Sequence, residues 1–332
     1  MSTIATPAET HTTGLLAYLP IGLFGSVMGL SGLSVAWRIA HVQFGTPAWI
    51  GQLIAALAVF AFIALASAYA LKALTGFESV RREFEHPITG NLFGTFFISL
   101  LLLPLLFAET HRELARVIWV GGAIAMTVFA WAIVSRWISV TQNKEHASPA
   151  WIVPVVGMID IPLAVPALGW GDSMHGVMAF ATAVGLFFAL PLLTIILARL
   201  MFVGPLSDAM KPSMLIMVAP FSVGFSAYVA TAGHIDGFAE TLYMLMLFML
   251  AVVGGRLRNL GRCCPFRVSW WAVSFPLAAS ASAALRYAEH AQNEAATLIA
   301  IALLAFATVI IVALLVRTLI GIALGQLRQL SA

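Results

Sequence analysis

A chain of 332 residues that is 61% hydrophobic and only 9% charged is not an ordinary soluble domain, where roughly a quarter of residues are charged and about 45–50% are apolar. Apolar stretches of 18 residues or more recur from end to end, so the chain reads as an all-α integral membrane protein; a β-barrel would alternate polar and apolar residues over short segments. The net charge of +3 is small and confined to loops, which gives no footing for a nucleic-acid partner.

Residues 1–14 are polar, carry Glu9 and no Lys or Arg, and so lack the basic start of a cleavable signal peptide. They read as a short disordered cytoplasmic tail ahead of one transmembrane domain over 15–332. Ten spans are predicted there, at 15–39, 48–73, 88–108, 115–139, 151–169, 175–202, 213–233, 238–256, 268–288 and 295–325. The loops are short, so neighbouring spans should pair as antiparallel hairpins. With the N-terminus in the cytoplasm, four of the 17 basic residues (Arg38, Arg112, Arg116 and Arg286) fall outside and the other thirteen inside. The positive-inside rule therefore places both termini in the cytoplasm.

The odd spans differ from the even ones. The first has Pro20 with Gly22, Gly25 and Gly29; the third begins at Pro87 and contains Pro104; the fifth has Pro154, Pro162 and Pro166; the seventh has Pro220 within a run of small residues; the ninth has Pro276. Among the even spans only the sixth has an internal proline, Pro191, and these spans otherwise read as bulky Leu, Ile, Val and Phe. Broken helices are tolerated in a membrane only where protein buries them or water lines them. The pattern predicts five hairpins in pseudo-five-fold order, kinked odd helices inside around a central pore and even helices outside against lipid. Pro20, Gly25, Pro104, Pro154, Pro220 and Pro276 are the candidate kink and pore-lining positions.

Between the second and third spans, Arg81, Arg82, Glu83 and Glu85 read as a solvated charged turn. In the fifth span, Asp160 is an acid about midway across. It is either a proton-coupling or gate group, or a structural acid bonded off-axis to backbone freed by Pro162. The adjacent Cys263 and Cys264 lack the spaced partners of a zinc site, and the eight histidines fall in the tail, loops and span ends without paired ligand spacing, so no metal or other cofactor is expected. No hydrolase, P-loop, metalloprotease or dinucleotide fingerprint lies in a suitable context, which argues against an enzyme.

The ninth span, VSWWAVSFPLAASASAALRYAEH from Val268, opens on a collar of Arg267, Trp270 and Trp271 and closes at Arg286 and Tyr287, as membrane interfaces do. Phe275 stands beside Pro276, where the helix should kink or open, and faces the run AASASAA. One ring beside a broken turn suits a plug in a narrow passage; it also suits a kinked helix packed closely through small residues. Helix ends and freed N–H groups around one axis would stabilise an anion weakly, and weak binding suits fast exit.

Five blocks carry a family resemblance: YLPIGLFGSVMGLSGLSVAW (18–37), ESVRREFEHPITGNLF (78–93), SPAWIVPVVG (148–157), VAPFSVGFSAYVA (218–230) and WWAVSFPLAAS (270–280). The chain resembles, over nearly its whole length, the bacterial TehA family, grouped with tellurite-resistance and C4-dicarboxylate transporters and with the plant slow anion channel of guard cells. The resemblance implies ten helices in five hairpins, one pore per subunit, a homotrimer, and a pore-blocking phenylalanine that falls on Phe275. Pro276 departs from the glycine that follows the plug in a bacterial member. The expected function is a passive anion channel or channel-like exporter for small anions such as chloride or nitrate, gated by Phe275. The alternatives are a proton-coupled carrier of tellurite, sulfite or a C4-dicarboxylate that uses Asp160, and a membrane scaffold. Besides anions, membrane lipid is the only other partner implied.

Overall fold

A computed structural model describes residues 16–258, 261 and 264–331; the predicted tail and Cys263 lie outside them. The described residues contain ten helices long and apolar enough to cross a membrane. They are α1 (Ile21–Phe44), α2 (Ala48–Glu85), α3 (Thr89–Phe107), α4 (Arg112–Ser139), α5 (Pro149–Leu168), α6 (Asp172–Phe202), α7 (Lys211–Ala232), α8 (Gly237–Leu257), α9 (Val268–Ala291) and α10 (Glu294–Ala323). The predicted limits hold to within a turn or two, except that α2 runs on to Glu85.

Burial divides them into two classes. In the odd helices 61–83% of the residues in the most apolar stretch are buried; in the even helices only 11–39% are. The odd helices close a ring: α1 packs on α3, α3 on α5, α5 on α7, α7 on α9, and α9 back on α1. Each even helix lies over the seam between its own odd partner and the next, α2 over α1 and α3, and so on to α10 over α9 and α1. The bulky apolar side chains of the even helices, such as Phe60, Trp131, Phe187 and Phe248, remain exposed on the outside, where lipid is the only medium that spares them water.

All five odd helices begin as 3-10 helix and become α-helix further in. The changes fall at Gly25, Gly94, Ala219 and Ser274 in α1, α3, α7 and α9; α5 alternates twice, with α segments starting at Val153 and Ile161. The prolines explain the pattern. Pro154, Pro162 and Pro220 occupy the first two positions of their α segments, where a missing N–H would have no intrahelical acceptor anyway. Pro276 is the third residue of the segment Ser274–Ala291. The break predicted at Pro276 is therefore a change of helical type just before it rather than an opened turn.

The α1–α9 seam is the tightest contact between odd helices. The Ser274 hydroxyl donates to Trp271 O at 2.7 Å and Gly25 O at 3.1 Å. A Cβ added at Gly29 would fall inside the Ser274 side chain. Gly29→Val should therefore destabilise the protein by about 1–3 kcal/mol or more, as overpacking does; thermal unfolding in detergent reads this, and an unchanged midpoint would contradict the packing.

Several expectations are corrected at the helix ends. Trp271 is no interfacial collar: it is 1% exposed and its indole N–H donates to Thr318 Oγ1 of α10 at 2.9 Å. Glu289, three residues after Arg286, accepts from Gln43 Nε2 of α1 at 2.9 Å. The segment predicted as a solvated turn is a helical continuation of α2 past non-helical backbone at Gly76. Within it Glu83 is enclosed, with Lys72 Nζ at 2.6 Å and side-chain exposures of 12% and 3% for the pair. Arginines counted above for membrane orientation also cap helix C-termini, where they meet unpaired carbonyls and the negative end of the dipole. Arg38 donates to Leu105 O and Leu106 O of α3, and Arg116 to Leu168 O of α5.

Candidate functional site

The 3-10 entries of the five odd helices surround a cavity of about 300 Å³. Each odd helix contributes to its wall, but only from its N-terminal end to about its middle. The deepest lining residues are Met28 of α1, Ile98 of α3, Asp160 of α5, Val223 of α7 and Phe275 with Pro276 of α9. Toward the mouth lie Pro20 and Gly22, Ile88 and Thr89, Met210 and Ser213, and Arg267 with Ser269. The cavity is thus open on the face where the odd helices begin and blind partway across. A 3-10 helix rises about 2.0 Å per residue with three per turn, against 1.5 Å and 3.6 in an α-helix, so the entry turns are narrower and leave room at the axis.

Phe275 sits at the blind end. Its residue is 7% exposed, and the ring leans on Gly32 of α1, where an added Cβ would lie 3.4 Å from Cδ2 and 3.6 Å from Cε2. Beyond it α9 continues as Leu277 to Leu285 with every residue buried, mostly Ala and Ser. The sequence had Phe275 next to small residues of its own helix; the neighbour that fixes the ring is a glycine of the first helix.

Most of the wall is apolar, and four of its five hydroxyls are committed; that of Ser331, at the end of the C-terminal segment, has no partner. Thr89 donates to Glu83 O at 3.0 Å, Thr95 to Leu92 O at 2.6 Å, Ser213 to Met210 O at 2.7 Å and Ser269 to Ala209 O at 2.8 Å. Asp160 differs. It is 2% exposed, and its Oδ1 has no hydrogen-bond partner. The backbone partner expected of an off-axis structural acid is not found at that atom, and the residue is in the cavity wall. At the mouth, His86 Nδ1 accepts from Ile88 N and Thr89 N, both at 3.2 Å. Partial burial, with His146 nearby, holds this imidazole below its usual pKa, which keeps the acceptor neutral.

Of the residues predicted for the pore, Pro20, Gly25, Asp160, Phe275 and Pro276 line this one cavity. Pro104, Pro154 and Pro220 are buried in the odd helices but stand outside its wall. Pro154 and Pro220 each adjoin a lining residue, Val153 and Ala219, while Pro104 lies in the far half of α3. Sequence reasoning passed over Met28, Ile98 and Val223, because an apolar side chain at the axis and one in the core have the same local signature. Among the described residues no group of three or more His, Cys, Asp or Glu is placed to hold a metal ion.

Residues 18–319 match the profile of the SLAC1 family, described as voltage-dependent anion channels. The chain is 30% identical over 325 residues to the S-type anion channel SLAH3 of Arabidopsis thaliana, covering 96% of this chain and 50% of that protein. It is 26% identical to the guard cell S-type anion channel SLAC1 of the same plant, covering 96% and 58%. The tellurite resistance protein TehA homolog of Haemophilus influenzae is 25% identical over 282 residues, 81% of each chain. The chain spans only half to three-fifths of the length of the first plant relatives.

Proposed function

Because the chain belongs to the SLAC1 family of anion channels, we propose that it passes small inorganic anions passively along the axis of its odd-helix ring, and that Phe275 keeps that path shut. The supporting observation is the placement of this ring: it lies at the blind end of a cavity to which all five odd helices contribute. An apolar constriction of this kind excludes both ions and the water they need. A wall without fixed cations near its deep end is compatible with conduction, since an anion held weakly leaves quickly.

We place the protein in a bacterial inner membrane as a homotrimer with a pore in each subunit and both termini cytoplasmic; the trimer follows from the family resemblance, the orientation from the basic loops. On that orientation the cavity opens toward the cytoplasm. Chloride and nitrate are the first anions to try. The test is current across bilayers holding the reconstituted Phe275→Ala protein under a chloride gradient. The reversal potential should follow chloride; one that follows the cation would overturn the reading. A proton-coupled carrier of tellurite, sulfite or a C4-dicarboxylate is the second reading, favoured by Asp160 in the cavity wall. Flux that saturates and stops without a pH gradient would replace the channel with the carrier.

A further inference from the structure

Asp160 is the polar group of the deep cavity that no partner explains. The turn that holds it, Gly157–Asp160, packs against α3, α4, α6 and α7. None of these brings a counter-charge to its depth. Helix α3 has no titratable side chain; those of α4 (Arg112, Glu113, Arg116, Arg136), α6 (Asp172, His175, Arg199) and α7 (Lys211, Tyr228) stand near the helix ends. The cavity's cationic lining residue, Arg267, is at the mouth. An ionised carboxylate enclosed without a donor or a cation is expensive by any account of burial, and this wall, with Oδ1 of Asp160 unpartnered, therefore favours the acid with its proton on.

A protonated carboxyl is a different chemical group from a carboxylate. It has an O–H to donate, and here the hydroxyls of Thr89, Thr95, Ser213 and Ser269 already donate to backbone; the one unpartnered lining hydroxyl, Ser331, belongs to the C-terminal segment and not to the turn beside Phe275. We propose that Asp160 is an anion subsite operated by a proton: protonated, its hydroxyl donates to an anion in the deep cavity, just before Phe275; deprotonated, its charge keeps anions out. The proton exchanges with water at the open mouth of the cavity and no other group is consumed. This inference rests on the anion-channel reading and adds to it a residue, a ligand class and a direction of pH response. Anion passage should fall as pH on the cavity side rises.

Two measurements separate the subsite from the pore. Infrared difference spectra of the wild-type protein in detergent, taken on adding sodium nitrate, read the site without any current. A protonated-carboxyl stretch that shifts with nitrate and is missing from Asp160→Asn is the expected result. A stretch that nitrate leaves in place, or none that the substitution removes, overturns the subsite. In bilayers, the Phe275→Ala current should fall with rising pH by up to about tenfold per unit, the limit for one titrating group. Adding Asp160→Asn, which can donate but cannot lose a proton, should flatten that profile. Adding Asp160→Leu, which fills the same space without a donor, should cut the current several-fold at acid pH. A pH profile unchanged by Asp160→Asn overturns the proposal even where the current is normal. A silent Phe275→Ala protein whose infrared band still answers to nitrate sinks the pore reading and leaves an anion site standing.

Discussion

Phe275→Ala is expected to carry a standing anion current at least about tenfold above wild type. Removing as little as ~1.4 kcal/mol of barrier multiplies a rate by ten, and the substitution takes away a whole ring from a wall that Met28, Ile98, Val223 and Phe275 share. The path beyond contains small side chains: Gly32 opposite, then Ala278, Ala279 and Ser280 along α9. Size should order the effects. Phe275→Leu retains an apolar obstacle and should conduct less than alanine; Phe275→Trp should stay shut. The control is folding, since emptying a core position of Phe costs about 3–5 kcal/mol where nothing refills it. Here the ring already borders a cavity and Ser274 still pins α9 to α1, so the variant should melt lower yet remain folded. Folded Phe275→Ala protein that is silent in every anion tried would remove Phe275 as the gate.

The reading of the sequence reached the ring of helices because period and proline placement are properties of single spans. Pro20, Pro154, Pro220 and Pro276 mark helices that carry irregular backbone, and only a helix shielded from lipid tolerates that; Phe60 and Phe187 mark those that meet lipid. What failed to show in the sequence depends on contacts between distant segments. Trp271 has the composition of an interfacial belt residue, but Thr318 lies within reach of its N–H, 47 positions away. Arg38 reads as an outer-side charge at the end of the first span, yet it closes the C-terminus of α3. Asp160 was visible as an acid in an apolar span; its lack of a partner was not, because that depends on what four other helices fail to supply. Glu83 was the largest miss. Beside Arg81, Arg82 and Glu85 it looks like one of four solvated charges, and only the turn at Gly76 brings it back over Lys72.

Glu83→Ala is expected to destabilise the fold more than any other change to a charged residue in this segment. Glu83 Oε1 accepts from Ile21 N at 2.7 Å, and Oε2 accepts from Tyr69 OH at 2.9 Å and Lys72 Nζ at 2.6 Å. Lys72 also donates to Leu19 O at 2.7 Å. The carboxylate therefore ties the outer helix α2 to the first turn of α1, next to Pro20 and Gly22 in the mouth of the cavity. With Glu83 gone, the Lys72 ammonium stays enclosed with the Leu19 carbonyl and the face of the Tyr69 ring, 4.8 Å away, but no counter-charge, and Ile21 N–H loses its acceptor. Breaking one side of a buried pair costs about 3–5 kcal/mol. The comparison comes from the same stretch: the Arg81–Glu85 pair is exposed at 61% and 58%, so Arg81→Ala should cost at most about 0.5 kcal/mol. Glu83→Gln, which keeps an acceptor for Ile21, should fall between. Removing both charges, in Lys72→Met/Glu83→Leu, should recover much of the loss, because no bare ammonium remains. Thermal unfolding of the four variants in detergent gives the order. A Glu83→Ala midpoint level with that of Arg81→Ala would mean that water reaches the pair and that α2 does not hold the entry of α1.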